Sequence, residues 1–231
     1  HRGSSNDFVM VAEANVGYNK ASRKIDRALG YEVDLSTVPV QVALQLTYAH
    51  TSQVARECTP EARYDLDYVD MMDRCYWGFF RAFVPPGVEL VEASKHPITA
   101  EKIITNKAWA GQALVSETTV SSGDRFSVFS QALLLPTASN AKLRFVYQQP
   151  EGVIERDPSG AHIYRLVLQK QAGVSTFPVQ VVLRTPENAI VSHMQPAACQ
   201  YDKTAQIFCE FDMDRDQLIE IHYELPEEAQ P

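Results

Sequence analysis

The chain has 231 residues, of which 45% are apolar and 22% charged, a balance that excludes a wholly disordered polymer. A formal net charge of −8, with Lys and Arg scattered and never in runs, leaves no basic field for a phosphate backbone and argues against nucleic acid as a partner. The longest apolar stretches, Ala132 to Pro136 and Val179 to Leu183, stop within a strand's length, short of the roughly 18 residues a membrane-spanning helix needs.

The first residues, His1 to Ser4, form no cleavable apolar segment, which fits a removed signal peptide, a start downstream of an anchor or a tag remnant. Phe8, Val9, Met10 and Val11 then form an apolar run near the terminus, expected either to donate a strand to a neighbouring copy or to pair within its own sheet. Asn15 to Ser22 has room for a short helical turn. Ile25, Leu29, Tyr31, Val33 and Leu35 share one parity and predict a strand, with a helix over Ala21 to Leu29 as the competing reading. A break at Ser36 to Pro39 folds that strand back onto Val40, Val42, Leu44, Leu46 and Tyr48, whose strict alternation marks one buried and one wet face.

Four cysteines fall into two local pairs, which predicts disulfides Cys58–Cys75 and Cys199–Cys209; four reduced core thiols in a cytosolic protein are the alternative. None has redox or zinc-knuckle spacing, and His50 and His193 complete no familiar ligand set. Between the first two cysteines, Tyr64, Tyr68, Met71 or Met72 and Cys75 recur at three to four residues, predicting a short amphipathic helix within Ala62 to Cys75. Tyr76, Trp77, Phe79, Phe80 and Phe83 follow as the densest aromatic cluster. On a strand, Tyr76 and Phe80 face one way and Trp77, Phe79 and Phe83 the other, and large rings packed in the core of a sandwich are the preferred reading over an exposed contact surface.

Alternation returns at Leu143 to Tyr147, Tyr164 to Leu168, Phe177 to Leu183 and Ile219 to Leu225. Turn signals separate these runs at Ser121 to Asp124, Asp157 to Gly160 and Thr185 to Asn188. The pattern predicts an all-β fold, an antiparallel Ig-like β-sandwich with one helical insertion, built as two packed units or as one elongated sandwich. A soft boundary at Gln149 to Gly152 divides it into residues 1–150, a sandwich with the stapled insertion, and 151–231, a smaller sandwich or a sheet extension.

Three strings resemble a known family when taken together: Asn15-Val-Gly-Tyr-Asn-Lys20, Asp70-Met-Met-Asp-Arg-Cys-Tyr-Trp77 and Arg81-Ala-Phe-Val-Pro-Pro-Gly-Val-Glu-Leu90. Val128 to Pro136, Leu143 to Tyr147 and Tyr164 to Gln171 continue the same order. The chain resembles the C-terminal, extracytoplasmic part of the domain-of-unknown-function 4012 family, bacterial membrane-anchored surface proteins found among Chloroflexi and Actinobacteria. Thr137 to Asn140 and Gln171 to Gly173 depart from that pattern at turns. The resemblance implies a β-architecture outside the cytoplasm and brings no catalytic residues.

Chemical motifs are sparse. Asp212, Asp214 and Asp216 suggest a calcium loop, but Gln217 replaces the turn glycine and Tyr223 the bidentate glutamate, so a solvated turn is the better reading. His222, flanked by Glu220 and Glu224, reads as the wet face of a strand. Asp65 with Asp67, and Glu227 with Glu228, fit a hydrated surface. No nucleophile elbow, metalloprotease helix or phosphate loop is present, and no cofactor is expected. The function expected from these features is non-enzymatic: an exported surface or envelope module that contacts copies of itself or other envelope proteins. A carbohydrate-binding or adhesive module, using an aromatic surface of Tyr76, Trp77, Phe79 and Trp109, is the first alternative; a secreted hydrolase is the second.

Overall fold

The structure is a computed structural model that describes residues 6–60, 67–202 and 205–226. Strands β1 (Asp7–Asn15), β2 (Ile25–Asp34) and β3 (Gln41–His50) precede a one-turn helix α1 (Tyr68–Met72), which leads into β4 (Tyr76–Val84) and β5 (Glu89–Ala93). There follow β6 (Leu114–Thr119), β7 (Arg125–Leu135), β8 (Asn140–Gln148), β9 (Ile154–Arg156) and β10 (His162–Gln169). The last strands are β11 (Pro178–Arg184), β12 (Ile190–Gln195), β13 (Cys199–Tyr201), β14 (Gln206–Asp212) and β15 (Gln217–Glu224).

They form the expected all-β sandwich of two sheets. The first sheet runs β12-β15-β10-β1-β4-β7-β6, with β9 beside β10; the second runs β13-β14-β11-β2-β3-β8-β5. The hairpin between β2 and β3 turns where anticipated, pairing Ile25 with His50 through Asp34 with Gln41. Two pairings depart from an all-antiparallel plan: β1 lies parallel to β10, and β2 parallel to β11. Each joins strands far apart in sequence, so the chain reaches its partner by crossing between sheets and not by a hairpin. Strands after residue 150 thus extend both sheets beside those before it.

Period-two patterning places the core. Val42, Leu44, Tyr31, Leu143, Tyr147, Leu166, Val181 and Ile219 are each fully or almost fully buried between the sheets. β4 divides as its parity requires: Tyr76, Phe80, Ala82 and Val84 join this core. Gly78 is needed on that face, because a Cβ there would collide with the Phe80 ring and come within 2.7 Å of Tyr76.

The run Phe8, Val9, Met10 and Val11 pairs within its own sheet, the second of the two placements expected: it belongs to β1, which pairs with β10 over Asp7–Met10 and with β4 over Met10–Asn15. Helix α1 lies within the segment where a short helix was expected; Asp67 caps it by accepting from Asp70 N–H at 2.8 Å. Tyr64, Asp65, Glu227, Glu228 and His1 to Ser4 lie outside the described residues. A 3-10 turn, Ala21–Lys24, occupies the expected helical turn before β2.

Candidate functional site

The outer faces of the two sheets differ. On the second sheet, Asp26, Glu32, Gln41, Lys142, Arg144, Gln180, Arg184 and Glu210 are exposed. On the first, the outward positions at one end of adjacent strands are Phe8 and Met10 on β1, Phe83 on β4, Phe126 and Val128 on β7 and Val167 on β10, with Arg81 and Arg165 further along β4 and β10. Register sets Phe8 beside Val167, and Met10 beside Phe83, which in turn lies beside Val128. Phe126 packs at a tilt, 5.1 Å from Phe8, and meets Phe83 edge-on at 6.2 Å. Met10, Phe83, Phe126 and Val167 stay partly exposed. Where this face reaches the end of the sandwich, Phe8, Phe126, Pro85, Pro86 and Val167 line a cleft of about 400 Å³ edged by Arg125 and Glu151.

The aromatic surface of the alternative reading, Tyr76, Trp77, Phe79 and Trp109, is not formed, and the preferred core reading holds for Tyr76 and Trp77. Tyr76 points into the core, and Trp77 is buried against the Cys58–Cys75 bridge and Leu134, its indole N–H donating to the Lys102 carbonyl at 2.9 Å. Phe79 is partly covered by the Arg81 guanidinium, 5.5 Å from its ring centre, and Trp109 pairs with Ile98 on a separate loop. The stapled insertion caps that end of the face, leaving the other end, around Phe83, open. Both expected disulfides are present, Cys58–Cys75 and Cys199–Cys209, and among the described residues no cysteine is free. Such bridges persist in oxidising surroundings.

Two polar clusters inside the sandwich were not anticipated. Asp7 is fully buried. Its carboxylate accepts from the Tyr31 hydroxyl at 2.8 Å, Gln149 Nε2 at 2.6 Å, the Phe8 N–H at 2.7 Å and the Tyr164 hydroxyl. Tyr147 extends the knot, 2.7 Å from the Tyr31 hydroxyl, so Asp7 ties β1 and β10 of one sheet to β2 and β8 of the other. Burial pushes its pKa from 3.8 up to about 6, against the opposing pull of those four hydrogen bonds. At the other end of β1, Glu13 accepts from Arg27 Nε at 2.6 Å, and the Gln171 side chain clamps the Glu13 backbone at both N–H and C=O. Burial and the Glu13 carboxylate beside it hold the Tyr48 hydroxyl far above its ordinary range. A cavity of about 30 Å³, room for one or two waters, adjoins this pair along the seam where β1 and β2 meet the C-terminal strands.

Of the Asp212, Asp214 and Asp216 string, Asp212 ends β14 and the other two lie in the turn to β15, as the sequence suggested. Asp216 accepts the Lys170 N–H at 2.9 Å and Asp214 faces Arg215. Among the described residues no three His, Cys, Asp or Glu side chains converge as a metal site. His222 lies on the outer face as expected.

No family model and no curated protein matches this chain. Among solved structures it is similar to a candidate nutrient-binding protein of Legionella pneumophila, with 10% identity and a TM-score of 0.42 over 94% of this chain and 72% of that one. It is also similar to a two-domain M1 zinc metallopeptidase bound to tryptophan, with 14% identity and a TM-score of 0.28 over 87% of this chain and 43% of that one. A substrate-bound M1 zinc metallopeptidase of Deinococcus radiodurans gives the same identity and score over 42% of its length. This chain therefore spans less than half of either peptidase. Likenesses this distant carry no function.

Proposed function

We propose that this chain is an exported, non-enzymatic module of the cell surface or envelope that works by protein–protein contact through the outer face of its first sheet. The observation that carries the reading is the contrast between the faces. One is charged and polar; the other, beside a polar strip that includes Arg165, Glu220 and His222, sets Met10, Phe83, Phe126 and Val167 side by side next to an apolar cleft. A contiguous apolar patch with a polar rim is the mark of a contact surface, because leaving it in water forfeits about 25 cal/mol for each Å² that a partner covers. Two disulfides fit export, and among the described residues no helix is long and apolar enough to cross a membrane. The resemblance to the extracytoplasmic part of the domain-of-unknown-function 4012 family supports the same location. Its partners are copies of itself or other envelope proteins.

Site-specific photo-cross-linking in the native host tests this. A photoreactive residue at position 83 should give adducts of discrete size, and the same residue at 144, on the polar sheet, should give none. Adducts from neither position, or from both alike, would overturn the proposal.

A further inference from the structure

The first sheet ends at β12, an edge strand paired with β15 alone. A register shift between Val191 and His193 brings His193 directly opposite His222. Their ring centres are 4.9 Å apart, and the planes are inclined at 61°. His193 is exposed and His222 partly so, which leaves the pair open to solvent on the outer face.

We propose that His193 and His222 form a two-imidazole chelate for a divalent transition metal, with water in the remaining positions. The spacing fits. A metal about 2.1 Å from each ligating nitrogen stands about 3.2 Å from each ring centre, so ligand angles of about 90° to 109° separate the two centres by about 4.5 to 5.2 Å. The observed separation falls inside that window.

The surroundings of His222 match the support that metal-binding imidazoles receive. Glu220 Oε1 lies 2.7 Å from His222 Nε2. An ionised carboxylate can only accept, so Nε2 carries the hydrogen and Nδ1 keeps its lone pair for the metal. Glu220 is itself fixed by Arg165 Nε at 2.6 Å, and Arg165 by Glu155, also at 2.6 Å. Glu220 is thus a positioning residue. Imidazole donors with open water positions suit Cu²⁺, Ni²⁺ and Zn²⁺, and the general order of stability puts Cu²⁺ first.

Calorimetric titration of the whole chain with Zn²⁺ and Cu²⁺, together with Cu²⁺ EPR, tests the site. One metal per chain should bind, with the hyperfine pattern of two nitrogens. His193→Asn and His222→Asn should each weaken it by about tenfold or more and leave a one-nitrogen pattern, while Glu220→Gln should weaken it less without changing the nitrogen count. Absence of binding overturns the proposal, as does binding that survives the double His193→Asn/His222→Asn variant or that depends on only one of the two histidines. His193 is exposed at a sheet edge, so its replacement leaves the fold in place and a lost signal reports the metal.

Discussion

Replacing Asp7 with Asn should remove a pH dependence that the buried knot builds into folding. In the unfolded chain the carboxyl titrates near 3.8; in the fold burial raises it to about 6. A raised pKa means that the folded state holds the proton more tightly, so Asp7 favours folding most at acid pH, and that contribution is lost as pH rises from 3.8 through about 6. The full loss, reached above both values, is about 3 kcal/mol, of which about 1.4 kcal/mol falls between pH 5 and 7.5. For a chain of this length that corresponds to about 3 to 6 °C in Tm. His50, His96 and His162, whose pKa values burial lowers, act in the opposite sense, destabilising the fold as pH drops below 6.5. They are common to both proteins, so the informative quantity is the difference in Tm between the native chain and Asp7→Asn, followed by calorimetry at pH 5 and 7.5. That difference should shift by the stated amount in favour of the native chain at pH 5. Parallel Tm profiles for the two proteins would show that Asp7 titrates in the fold as it does in water, and the argument from burial would fail.

Arg27→Met should cost about 3 to 5 kcal/mol, because it leaves Glu13 charged and enclosed, whereas Glu13→Leu combined with Arg27→Met should recover most of that loss; urea midpoints of the three proteins decide it. Removing either disulfide by paired Cys→Ser changes should cost about 3 kcal/mol, as expected for closed loops of 17 and 10 residues. Loss of Cys58–Cys75 should also shift tryptophan emission to the red as Trp77 is uncovered, a change that loss of Cys199–Cys209 should not produce.

The strands were legible because alternation is a strong signal wherever one face is buried. Val40 to Tyr48 and Leu143 to Tyr147 needed no tertiary information, nor did the division of β4 into two faces. The order of strands was less accessible, since β1 with β10 and β2 with β11 pair across long stretches that no local pattern records. The interior polar groups left a trace that parity can detect. Asp7 and Glu13 share the inward parity of Val9 and Val11, and Arg27 stands between inward Ile25 and Leu29. A charge on the buried face of each of two strands, opposite in sign, is a readable clue to a buried pair. The aromatic surface failed for a different reason. Only the folded insertion determines which outward rings are covered, and it covers Trp77 while leaving Phe83 partly open.

These buried polar groups also specify how β1 sits. Strand register has a period of two, so a slip of one residue would turn Phe8 and Met10 inward and carry Asp7 and Glu13 to the outer face. The apolar part of that exchange is nearly balanced, because Phe8 and Met10 are as greasy as Val9 and Val11. The polar part is not. A slip would leave the Tyr164 hydroxyl and the guanidinium of Arg27 between the sheets without their carboxylates, at about 1 to 3 kcal/mol for the neutral group and more for the charge, while Tyr31 would keep only Tyr147. Phe8 and Met10 are thereby held outward, beside Phe126 and Phe83. The outward apolar patch exists because two carboxylates at the ends of β1 are satisfied on the other side.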